Sequence, residues 1–260
     1  MADYRDMINS DPIDQCAILV GGLGKRLGDL ARSCPKPMLE VASLPFIFYL
    51  LWQMAGFGFR HFLLLAGHMA QVIKDYFSQA HIDGLPENIV VEILVEPEPL
   101  GTAGALRAAT DRLDDRFLLC NGDSFFQCDI SQLARPFQAP GTWGRLALTR
   151  ATARGRFGTV LVEGSKITGF REKAEVESPP GIQGSEFMNM GLYLLHRDIL
   201  QAIPKGPCSL ETEIFPDLAR QGRLEAQIFE TAFFIDIGVP ADYARAQTAL
   251  PEALPVKMVR

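Results

Sequence analysis

The sequence predicts an α/β fold with a doubly wound, mostly parallel sheet and a smaller antiparallel region. In the first half, short apolar segments typical of buried strands alternate with helical patterns, and such alternation builds parallel sheets. In the second half, Gly164-Ser165 lies between two strand candidates, as expected for a hairpin turn. A glycine-rich segment directly follows the first strand candidate. Ligands of such sheets bind at the carboxyl ends of the strands.

The individual elements follow from the runs and the periodicity of apolar residues. Four segments of the first half have the composition of buried strands: 17–20, 62–66, 89–95 and 117–120. Three segments between them have helical patterns: 45–55, 69–77 and 102–113. Further strands are predicted at 146–148, 160–162, 166–170 and 192–195. No linker divides the chain, so we expect one domain over 15–250, an extension at 1–14 and a tail at 251–260.

The glycine-rich segment is GGLGKRLG at residues 21–28, and PKPM follows at 35–38. Glycines let backbone N–H groups approach an anion closely, and a helix starting after the turn would add the positive end of its dipole. The backbone predicted to bind nucleotide phosphates is that of Gly21, Gly22, Leu23 and Gly24. Arg26 and Lys36 supply two cations for the same ligand. The segment therefore predicts a site for a phosphorylated ligand.

Two better-known phosphate loops do not match this segment. A dinucleotide-binding loop needs a third glycine three residues after the second, where this chain has Leu27. It also needs an acidic residue at the end of the next strand, and the segment 62–66 ends without one. A P-loop needs Gly-Lys-Ser/Thr, which the sequence lacks. A nicotinamide-dependent dehydrogenase is therefore disfavoured.

The composition excludes several classes of partner. The 260 residues are 48% hydrophobic and carry a formal net charge of −6, which argues against binding a nucleic acid. The most apolar stretch, 44–58, is shorter than the roughly 20 residues of a membrane span, and the N-terminus has no apolar signal core. The five cysteines form no close pair, which favours a reducing compartment. We expect a cytoplasmic protein with neither nucleic-acid nor membrane partners, and homo-oligomerisation is left open.

Further motifs follow the glycine loop along the chain. They are EPLGTAG at 98–104, NGDS at 121–124, FREK at 170–173, NMGLY at 189–193 and FIDIGVP at 234–240. This ordered set resembles the sugar-1-phosphate nucleotidyltransferase family over roughly residues 15–249. The resemblance implies a Rossmann-like sheet of the glycosyltransferase-A type. It also implies that a sugar phosphate attacks the α-phosphorus of a nucleoside triphosphate and releases pyrophosphate.

Two aspartates are candidate metal ligands. Asp123 follows the strand at 117–120, where taken alone it could equally cap a helix. Asp236 lies among apolar residues, and a carboxylate in such a place is usually paired or metal-bound. The resemblance implies that both hold Mg²⁺, which prefers oxygen ligands. It also implies catalytic roles, and these fall on Arg26, Lys36, Asp123, Lys173 and Asp236.

The resemblance assigns the remaining site residues as well. Lys173 matches a lysine that holds the incoming sugar phosphate. Sugar binding falls on Gly158, Glu172 and Asn189, and nucleotide binding on Gly101 and Thr102 in addition to the glycine loop. Because a phosphate monoester is already an anionic nucleophile, the reaction needs positioning and charge neutralisation rather than a general base.

Glu96 is the candidate residue for recognition of the base. It follows the strand at 89–95, and its carboxylate only accepts hydrogen bonds, whereas guanine offers two adjacent donors. The alternative is that Glu96 faces solvent and that the base is chosen elsewhere. Within the family, the motifs most resemble members that transfer GMP from GTP to D-glycero-D-manno-heptose 1-phosphate, and mannose-1-phosphate guanylyltransferases share part of them. Such members serve the synthesis of surface glycans such as lipopolysaccharide or capsule.

Other functions of the same fold stay open at this point. One is thymidylyl, uridylyl or cytidylyl transfer to another hexose 1-phosphate. Another, from a different class, is an inactive regulatory homologue whose phosphate and metal residues have decayed. The chain retains all five residues with implied catalytic roles, and this favours an active enzyme.

Overall fold

The computed structural model describes residues 13–22, 24–32, 34–78, 84–150, 159–171, 185–230 and 233–253. Within these residues the chain forms a nine-stranded mixed sheet, two two-stranded sheets and six α-helices. The predicted α/β class is confirmed. The predicted domain boundaries stay a prediction.

The strands of the three sheets come from both halves of the chain. The strands in chain order are β1 (Gln15–Leu19), β2 (Glu40–Val41), β3 (Leu44–Pro45), β4 (His61–Ala66), β5 (Val90–Val95), β6 (Arg116–Asn121), β7 (Ser124–Gln127), β8 (Gly144–Arg150), β9 (Thr159–Glu163), β10 (Lys166–Arg171), β11 (Ser185–His196), β12 (Leu224–Ile228) and β13 (Phe233–Asp236). The α-helices are α1 (Phe46–Gly56), α2 (Ala70–Phe77), α3 (Gly101–Ala108), α4 (Ile130–Leu133), α5 (Phe215–Arg220) and α6 (Pro240–Ala253). Shorter 3₁₀ segments lie at Lys25–Ala31, Lys36–Met38, Thr110–Arg112 and Arg197–Ala202, and a π-helical turn lies at Leu210–Ile214.

The strand order of the large sheet is β5-β4-β1-β6-β11-β8-β12-β10-β9. The first four strands in this order are parallel, as the alternation of strands and helices predicts. β11 then runs antiparallel to both β6 and β8, and β9 and β10 form the predicted hairpin. The antiparallel strands therefore extend the same sheet rather than forming a separate region.

Helices cover both faces of this sheet. Successive residues of a strand point to opposite faces, and in β1 the side chains of Cys16 and Ile18 pack in one apolar cluster and Ala17 in another. The first cluster includes apolar residues of α1, α2, α4 and α6, and the second includes those of α3 and α5. This arrangement explains why the parallel strands are apolar on both sides.

The most apolar stretch of the sequence is the buried helix α1. Pro45 precedes this helix as its N-cap, where the absence of an N–H has no cost. Nearly every side chain of α1 is buried, which accounts for an apolar sequence that only Gln53 interrupts. Among the described residues, no helix combines the length and the apolar character needed to cross a membrane.

The structure differs from the predicted elements in several places. The segment after the glycine loop is not an α-helix: Lys25–Ala31 forms 3₁₀ turns interrupted at Gly28, where φ is 57°. The helix predicted at 102–113 ends at Ala108, and a 3₁₀ turn follows. The pairs β2–β3 and β7–β13, the strand β12 and the helices α4, α5 and α6 were not predicted. Of these, the pair β7–β13 positions Asp236 in the candidate site.

Candidate functional site

The ends of β1 and β6 meet at one edge of the sheet. The two strands are parallel neighbours, with Leu19 opposite Asn121, and the N–H of Gly122 donates to the carbonyl of Leu19 at 2.9 Å. A Cβ at Gly122 would lie 2.7 Å from that oxygen, so glycine is required for this approach. The glycine loop and Asp123 therefore share one rim. A cleft at this rim is lined by Leu19, Val20, Gly22, Lys36, Pro37, Thr102, Asn121 and Asp123.

Lys36 reaches this rim from a rigid turn. The 3₁₀ turn Lys36–Met38 is fixed by two prolines and by the hydrogen bond from the N–H of Met38 to the carbonyl of Pro35, at 2.8 Å. The Nζ atom of Lys36 lies 2.9 Å from Oδ2 of Asp123, and only 11% of the lysine side chain is exposed. A lysine this buried is held by its charge partner rather than solvated. Lys36 is thus fixed in the cleft.

Asp236 reaches the same rim through the two-stranded pair β7–β13. Asp236 stands opposite Ser124 in this pair, and the N–H of Ile237 donates to the carbonyl of Asp123 at 2.9 Å. Burial and then the charge of Asp123 raise the pKa of Asp236, while the N–H of Gly238 and the nearby cations lower it. The pair therefore brings two carboxylates together that lie more than a hundred residues apart in the sequence.

Arg26 approaches these carboxylates from the glycine loop. A Cβ placed on Gly238 would lie 3.2 Å from Nη2 of Arg26 and 2.6 Å from Oδ1 of Asp236. The guanidinium group is therefore close to the backbone just beyond β13. Its charge is one of the contributions that lower the pKa of Asp236. The structure thus brings together four predicted catalytic residues: Arg26, Lys36, Asp123 and Asp236.

The two aspartates fit a hard divalent cation. Their oxygens are of the type that Mg²⁺ prefers, and their mutual repulsion, seen in the raised pKa of Asp236, is the kind that a cation relieves. In the part of the chain that is described, no cluster of three or more His, Cys, Asp or Glu side chains could hold a metal.

The glycine loop presents little side chain to the cleft. Gly22 is exposed and lines the cleft, and Gly24 has a φ of 64°, a conformation that favours glycine. The N–H of Leu27 donates to the carbonyl of Gly24 at 2.9 Å, which tightens the loop. The expectation of a helix dipole after this loop is wrong, because the loop runs into 3₁₀ turns. Any phosphate contact would come from single N–H groups and from the cations.

Glu96 packs against the glycine loop. A Cβ on Gly21 would lie 2.9 Å from Oε1 of Glu96. A Cβ on Gly67, which follows β4, would lie closer still to the same oxygen. The N–H of Leu100 donates to the second carboxylate oxygen at 3.2 Å. Desolvation raises the pKa of Glu96, and the hydrogen bond from Leu100 lowers it. Glu96 is therefore half-buried beside the loop, which disfavours the purely solvent-facing alternative.

Gly101 and Thr102 begin helix α3, and other parts of the protein occupy their polar groups. The carbonyl of Cys208 accepts hydrogen bonds from the N–H groups of Ala103 and Gly104 in the first turn of this helix. The hydroxyl of Thr102 donates to Glu211 at 2.7 Å and accepts from the N–H of Leu210 at 2.8 Å. Thr102 still lines the cleft. Because its hydroxyl is already hydrogen-bonded, Thr102 would contact the nucleotide as part of the wall of the cleft and not through a free hydroxyl.

Asn189 lies where β11 is irregular. Its Oδ1 accepts from the N–H of Gly191 and its Nδ2 donates to the hydroxyl of Tyr193, both at 2.9 Å. Gly191 has a φ of 72°, and a Cβ there would lie 2.5 Å from Nδ2 of Asn121. The irregular segment of β11 therefore packs closely against Asn121, which lines the cleft. This places Asn189 one strand away from the rim of the cleft.

Four predicted site residues lie outside the described residues: Leu23, Gly158, Glu172 and Lys173. The described neighbours of Gly158 and Glu172 share one end of the sheet. Thr159 is paired with Arg171 in the β9–β10 hairpin and with Met188 in β11. Strand β9 therefore begins, and strand β10 ends, at the part of the sheet that lies next to Asn189.

Sequence reasoning did not single out three residues that the structure places around the site. Asn121 lines the cleft and belongs to the NGDS motif, so its motif could have indicated it. Glu211 and Tyr193 contact the predicted residues Thr102 and Asn189. Tyr193 ends the NMGLY motif, which could have indicated it, whereas no local pattern indicates Glu211, because its partner Thr102 lies in a distant segment.

Comparisons with known proteins agree with these motifs. The family model described as Nucleotidyl transferase matches residues 16–253. The chain is 30% identical over 246 residues to D-glycero-alpha-D-manno-heptose 1-phosphate guanylyltransferase of Aneurinibacillus thermoaerophilus, covering 91% of this chain and 98% of that protein. It is 32% identical over 237 residues to mannose-1-phosphate guanylyltransferase of Mycobacterium tuberculosis, covering 90% of this chain and 63% of that protein. The chain thus spans less than two thirds of the second relative.

A solved structure with a similar fold is HddC from Yersinia pseudotuberculosis, crystallised in a complex with GMP-PN. The TM-score is 0.74 at 27% sequence identity, and the match covers 91% of this chain and 99% of that chain. The similarity therefore extends over the whole of that fold.

Proposed function

The chain belongs to the nucleotidyl transferase family and is a sugar-1-phosphate nucleotidyltransferase, and we propose that it transfers GMP from GTP to D-glycero-D-manno-heptose 1-phosphate. Pyrophosphate leaves, and the product is a GDP-sugar. The observation that carries this proposal is the rim where Arg26, Lys36, Asp123 and Asp236 come together beside the glycine loop. Two cations and a pair of carboxylates suit a polyanionic triphosphate.

The choice of GTP is supported by Glu96. Its carboxylate lies against Gly21 and accepts from the N–H of Leu100 through one oxygen, which leaves acceptor capacity for the two donors of guanine. Both relatives described above are guanylyltransferases by name, and the similar solved structure was crystallised with GMP-PN. The choice of heptose is supported by the relative that this chain matches over nearly its full length.

We propose Mg²⁺ as the cofactor, held by Asp123 and Asp236. When bound, Mg²⁺ supplies positive charge for the phosphates of the nucleotide. The protein contributes Lys36 and Arg26 to the same charge balance, since both approach these carboxylates. Their positive charges would stabilise the negative charge that develops at the α-phosphate and on the leaving pyrophosphate.

On the sugar side, we propose that Lys173, Glu172, Gly158 and Asn189 bind the sugar phosphate. This proposal rests on the family motif and on the pairing of Thr159, Arg171 and Met188, which brings these segments to one end of the sheet. The phosphate oxygen of the sugar attacks directly, so the enzyme orients it rather than deprotonating it. The finer features that we propose are the glycosyltransferase-A type of sheet, a cytoplasmic location and a role in surface glycan synthesis.

Release of pyrophosphate tests this function. The wild-type protein is assayed with GTP, ATP, CTP, UTP and dTTP, each combined with heptose, mannose and glucose 1-phosphates, with Mg²⁺ and with EDTA. The proposal requires the fastest release with GTP and the heptose phosphate, and no release in EDTA. Fastest turnover with mannose 1-phosphate would change only the sugar in the proposed reaction and would leave the transfer of GMP in place. A preference for another nucleotide would contradict the guanylyl assignment, and no release with any pair would favour an inactive homologue.

A further inference from the structure

Gln53 is the only amide or charged side chain of helix α1, and only 7% of the residue is exposed. Its Nε2 atom donates to the carbonyl of Phe126 in strand β7. No described residue donates to its Oε1 atom, although that atom is buried. A buried polar atom without a hydrogen bond lowers stability, which an apolar side chain of similar volume would avoid. Packing in the core therefore does not explain why α1 carries a glutamine here.

The carbonyl that Gln53 binds points away from the neighbouring strand. In the antiparallel pair β7–β13, which we call the ribbon, the N–H of Ile237 donates to the carbonyl of Asp123 just beyond the paired strands. Hydrogen-bonded and non-hydrogen-bonded positions alternate along such a pair. Three positions further along the ribbon, Phe126 and Phe234 stand opposite each other at a non-hydrogen-bonded position. The carbonyls of both residues therefore face outward, where the ribbon itself supplies no donor.

Side chains from two helices bind these two carbonyls. Gln53 on α1 donates to Phe126, and Nη2 of Arg245 on α6 donates to Phe234 at 3.3 Å. The side chain of Arg245 is 56% exposed, so water competes for its hydrogen bond, whereas the contact of Gln53 lies in the core. The ribbon is thus held on both edges at one position, and the buried contact with α1 is the stronger restraint.

The ribbon carries both carboxylates of the candidate site at one end. Asp123 directly precedes β7, and Asp236 is the last residue of β13. Each strand has only four residues, and an isolated pair of strands is marginally stable at best. The separation of the two carboxylates therefore depends on what holds the ribbon from outside. Phe126, which Gln53 binds, lies three residues from Asp123 along the chain.

We propose that Gln53 is a positioning residue for the carboxylate pair. Through the carbonyl of Phe126 it fixes the ribbon, and with it the distance between Asp123 and Asp236. The proposal rests on the proposed function, in which these carboxylates hold Mg²⁺, and adds to it a residue that acts only through the backbone. Contacts behind the ligands of a metal typically change its affinity by about 10- to 100-fold.

Mn²⁺ binding and kinetics of Gln53→Met test this role. Methionine has a similar volume but no donor for the carbonyl of Phe126. Electron paramagnetic resonance of the enzyme–GTP complex, without a sugar phosphate, measures the Kd for Mn²⁺, and we expect it to rise about tenfold. In the activity assay, kcat should also fall about tenfold, with the KM for the sugar phosphate unchanged. The melting temperature in EDTA should stay near that of the wild type, because the change removes one unpaired polar atom and leaves another.

Gln15→Met is the matched control. Gln15 is also 7% exposed, but its Nε2 donates to the carbonyl of Arg112 at 2.7 Å and its Oε1 accepts from the N–H of Asp114 at 2.9 Å. It begins β1, at the opposite end of that strand from the glycine loop. Methionine there leaves two backbone groups unpaired, so the melting temperature should fall while the Kd for Mn²⁺ stays unchanged.

The Kd for Mn²⁺ decides between a positioning and a structural role. A wild-type Kd in Gln53→Met, as in Gln15→Met, would overturn the proposal. Gln53→Asn provides the same test if Gln53→Met fails to fold, because its amide is one methylene too short to reach the carbonyl of Phe126. A wild-type enzyme–GTP complex without a Mn²⁺ site would contradict the proposed metal site and this inference with it. A normal site in the wild type that neither Gln53 variant weakens contradicts this inference alone.

Discussion

Asp123 and Asp236 bring two negative charges together at one rim of the sheet. Lys36 forms an ion pair with Asp123 at 2.9 Å. Burial and the charge of Asp123 raise the pKa of Asp236, which means that folding disfavours the ionised form of Asp236. The candidate site is therefore one where function opposes stability.

This conflict predicts that Asp236→Asn stabilises the metal-free protein. The amide keeps the shape and can still accept from the N–H of Gly238, which contacts Oδ1 of Asp236, but it carries no charge. In EDTA the melting temperature should rise by about 2–4 °C, the change expected for roughly 1 kcal/mol in a protein of this size. In the activity assay, turnover should fall by at least about 100-fold. A melting temperature below that of the wild type in EDTA would show that the carboxylate stabilises the fold.

Glu96 carries the prediction about the base. In Glu96→Gln, one acceptor oxygen is replaced by a donor, so the preference for GTP over UTP should fall by about tenfold to hundredfold. The control is Glu98→Gln, since Glu98 is an exposed carboxylate two residues away. Competition assays with the two nucleotides measure the preference. The same preference in both variants would remove Glu96 from base recognition.

The same variant has a pH-dependent effect on stability. Desolvation raises the pKa of Glu96 in the folded protein, so the folded state favours the protonated carboxyl. The stability that this difference contributes is fully present below the unfolded-state pKa and is lost as the pH rises through the folded-state pKa. Glu96→Gln should therefore gain stability relative to the wild type between pH 4 and pH 7. Denaturant unfolding at the two pH values measures this. A relative loss at pH 7 would show that the hydrogen bond from Leu100 outweighs desolvation.

At the residue level, sequence motifs predicted which side chains gather at the rim but not how they interact. Asp123 and Lys36 lie in separate motifs, and their ion pair depends on the turn between Pro35 and Met38. Glu211 was missed for a related reason. Its partner Thr102 lies more than a hundred residues away along the chain, and contacts of that kind leave no local pattern. Tyr193 was missed although it ends the NMGLY motif, four residues from its partner Asn189.

At the level of elements, the hairpin β2–β3 connects the lysine motif to the C-terminal helix. Its turn residues Ala42 and Ser43 have φ values of 46° and 71°, a conformation that costs energy for any residue with a Cβ. Helix α6 secures this turn: Oε1 of Gln247 accepts from the N–H of Ala42 at 3.0 Å, and its Nε2 donates to the carbonyl of Glu40 at 2.9 Å. Because α6 follows directly after the Asp236 motif, it links the two sides of the rim.

Gln247→Ala should loosen this link. Both hydrogen bonds of the side chain are lost, so we expect about 1–2 kcal/mol less stability against denaturant. The matched control is Thr248→Ala, which removes a single exposed hydrogen bond to the carbonyl of Arg245 and should cost less. Equal stability of the two variants would mean that the strained turn needs no support from α6.

The elements that the sequence predicted correctly are those with long local signals. The parallel strands are apolar on both faces, and the apolar sequence of α1 indicates a buried helix. The pair β7–β13 was missed because each strand has only four residues and its partner lies over a hundred residues away. The helix expected after the glycine loop was wrong because Gly28 adopts a positive φ that interrupts it.

At the scale of the whole molecule, each half of the large sheet carries the residues proposed for one of the two substrates. The parallel strands carry the glycine loop and Glu96, whereas the antiparallel strands lead to Asn189 and to the segment with Glu172 and Lys173. The two halves join where β6 pairs with β11. The cleft therefore lies beside the junction of the two halves, where the two substrates would have to meet.

This division predicts different kinetic effects for two cations. Lys173→Ala should raise the KM for the sugar phosphate by about tenfold or more with a smaller effect on GTP, whereas Arg26→Ala should mainly lower kcat. Lys166→Ala is the control, since Lys166 is exposed at the opposite end of β10. A rise in the KM for GTP in Lys173→Ala, with the sugar phosphate unaffected, would reverse the assignment.

In the proposed function this rim joins GMP to a sugar 1-phosphate, and mass spectrometry of the product is the sharpest test of it. The wild type is incubated with GTP, Mg²⁺ and D-glycero-D-manno-heptose 1-phosphate, beside Asp123→Asn as the matched inactive variant. We expect a GDP-heptose and an equal amount of pyrophosphate from the wild type, and at least about 100-fold less of both from Asp123→Asn. GDP-heptose formed equally fast by Asp123→Asn, or pyrophosphate formed without any GDP-sugar, would contradict it.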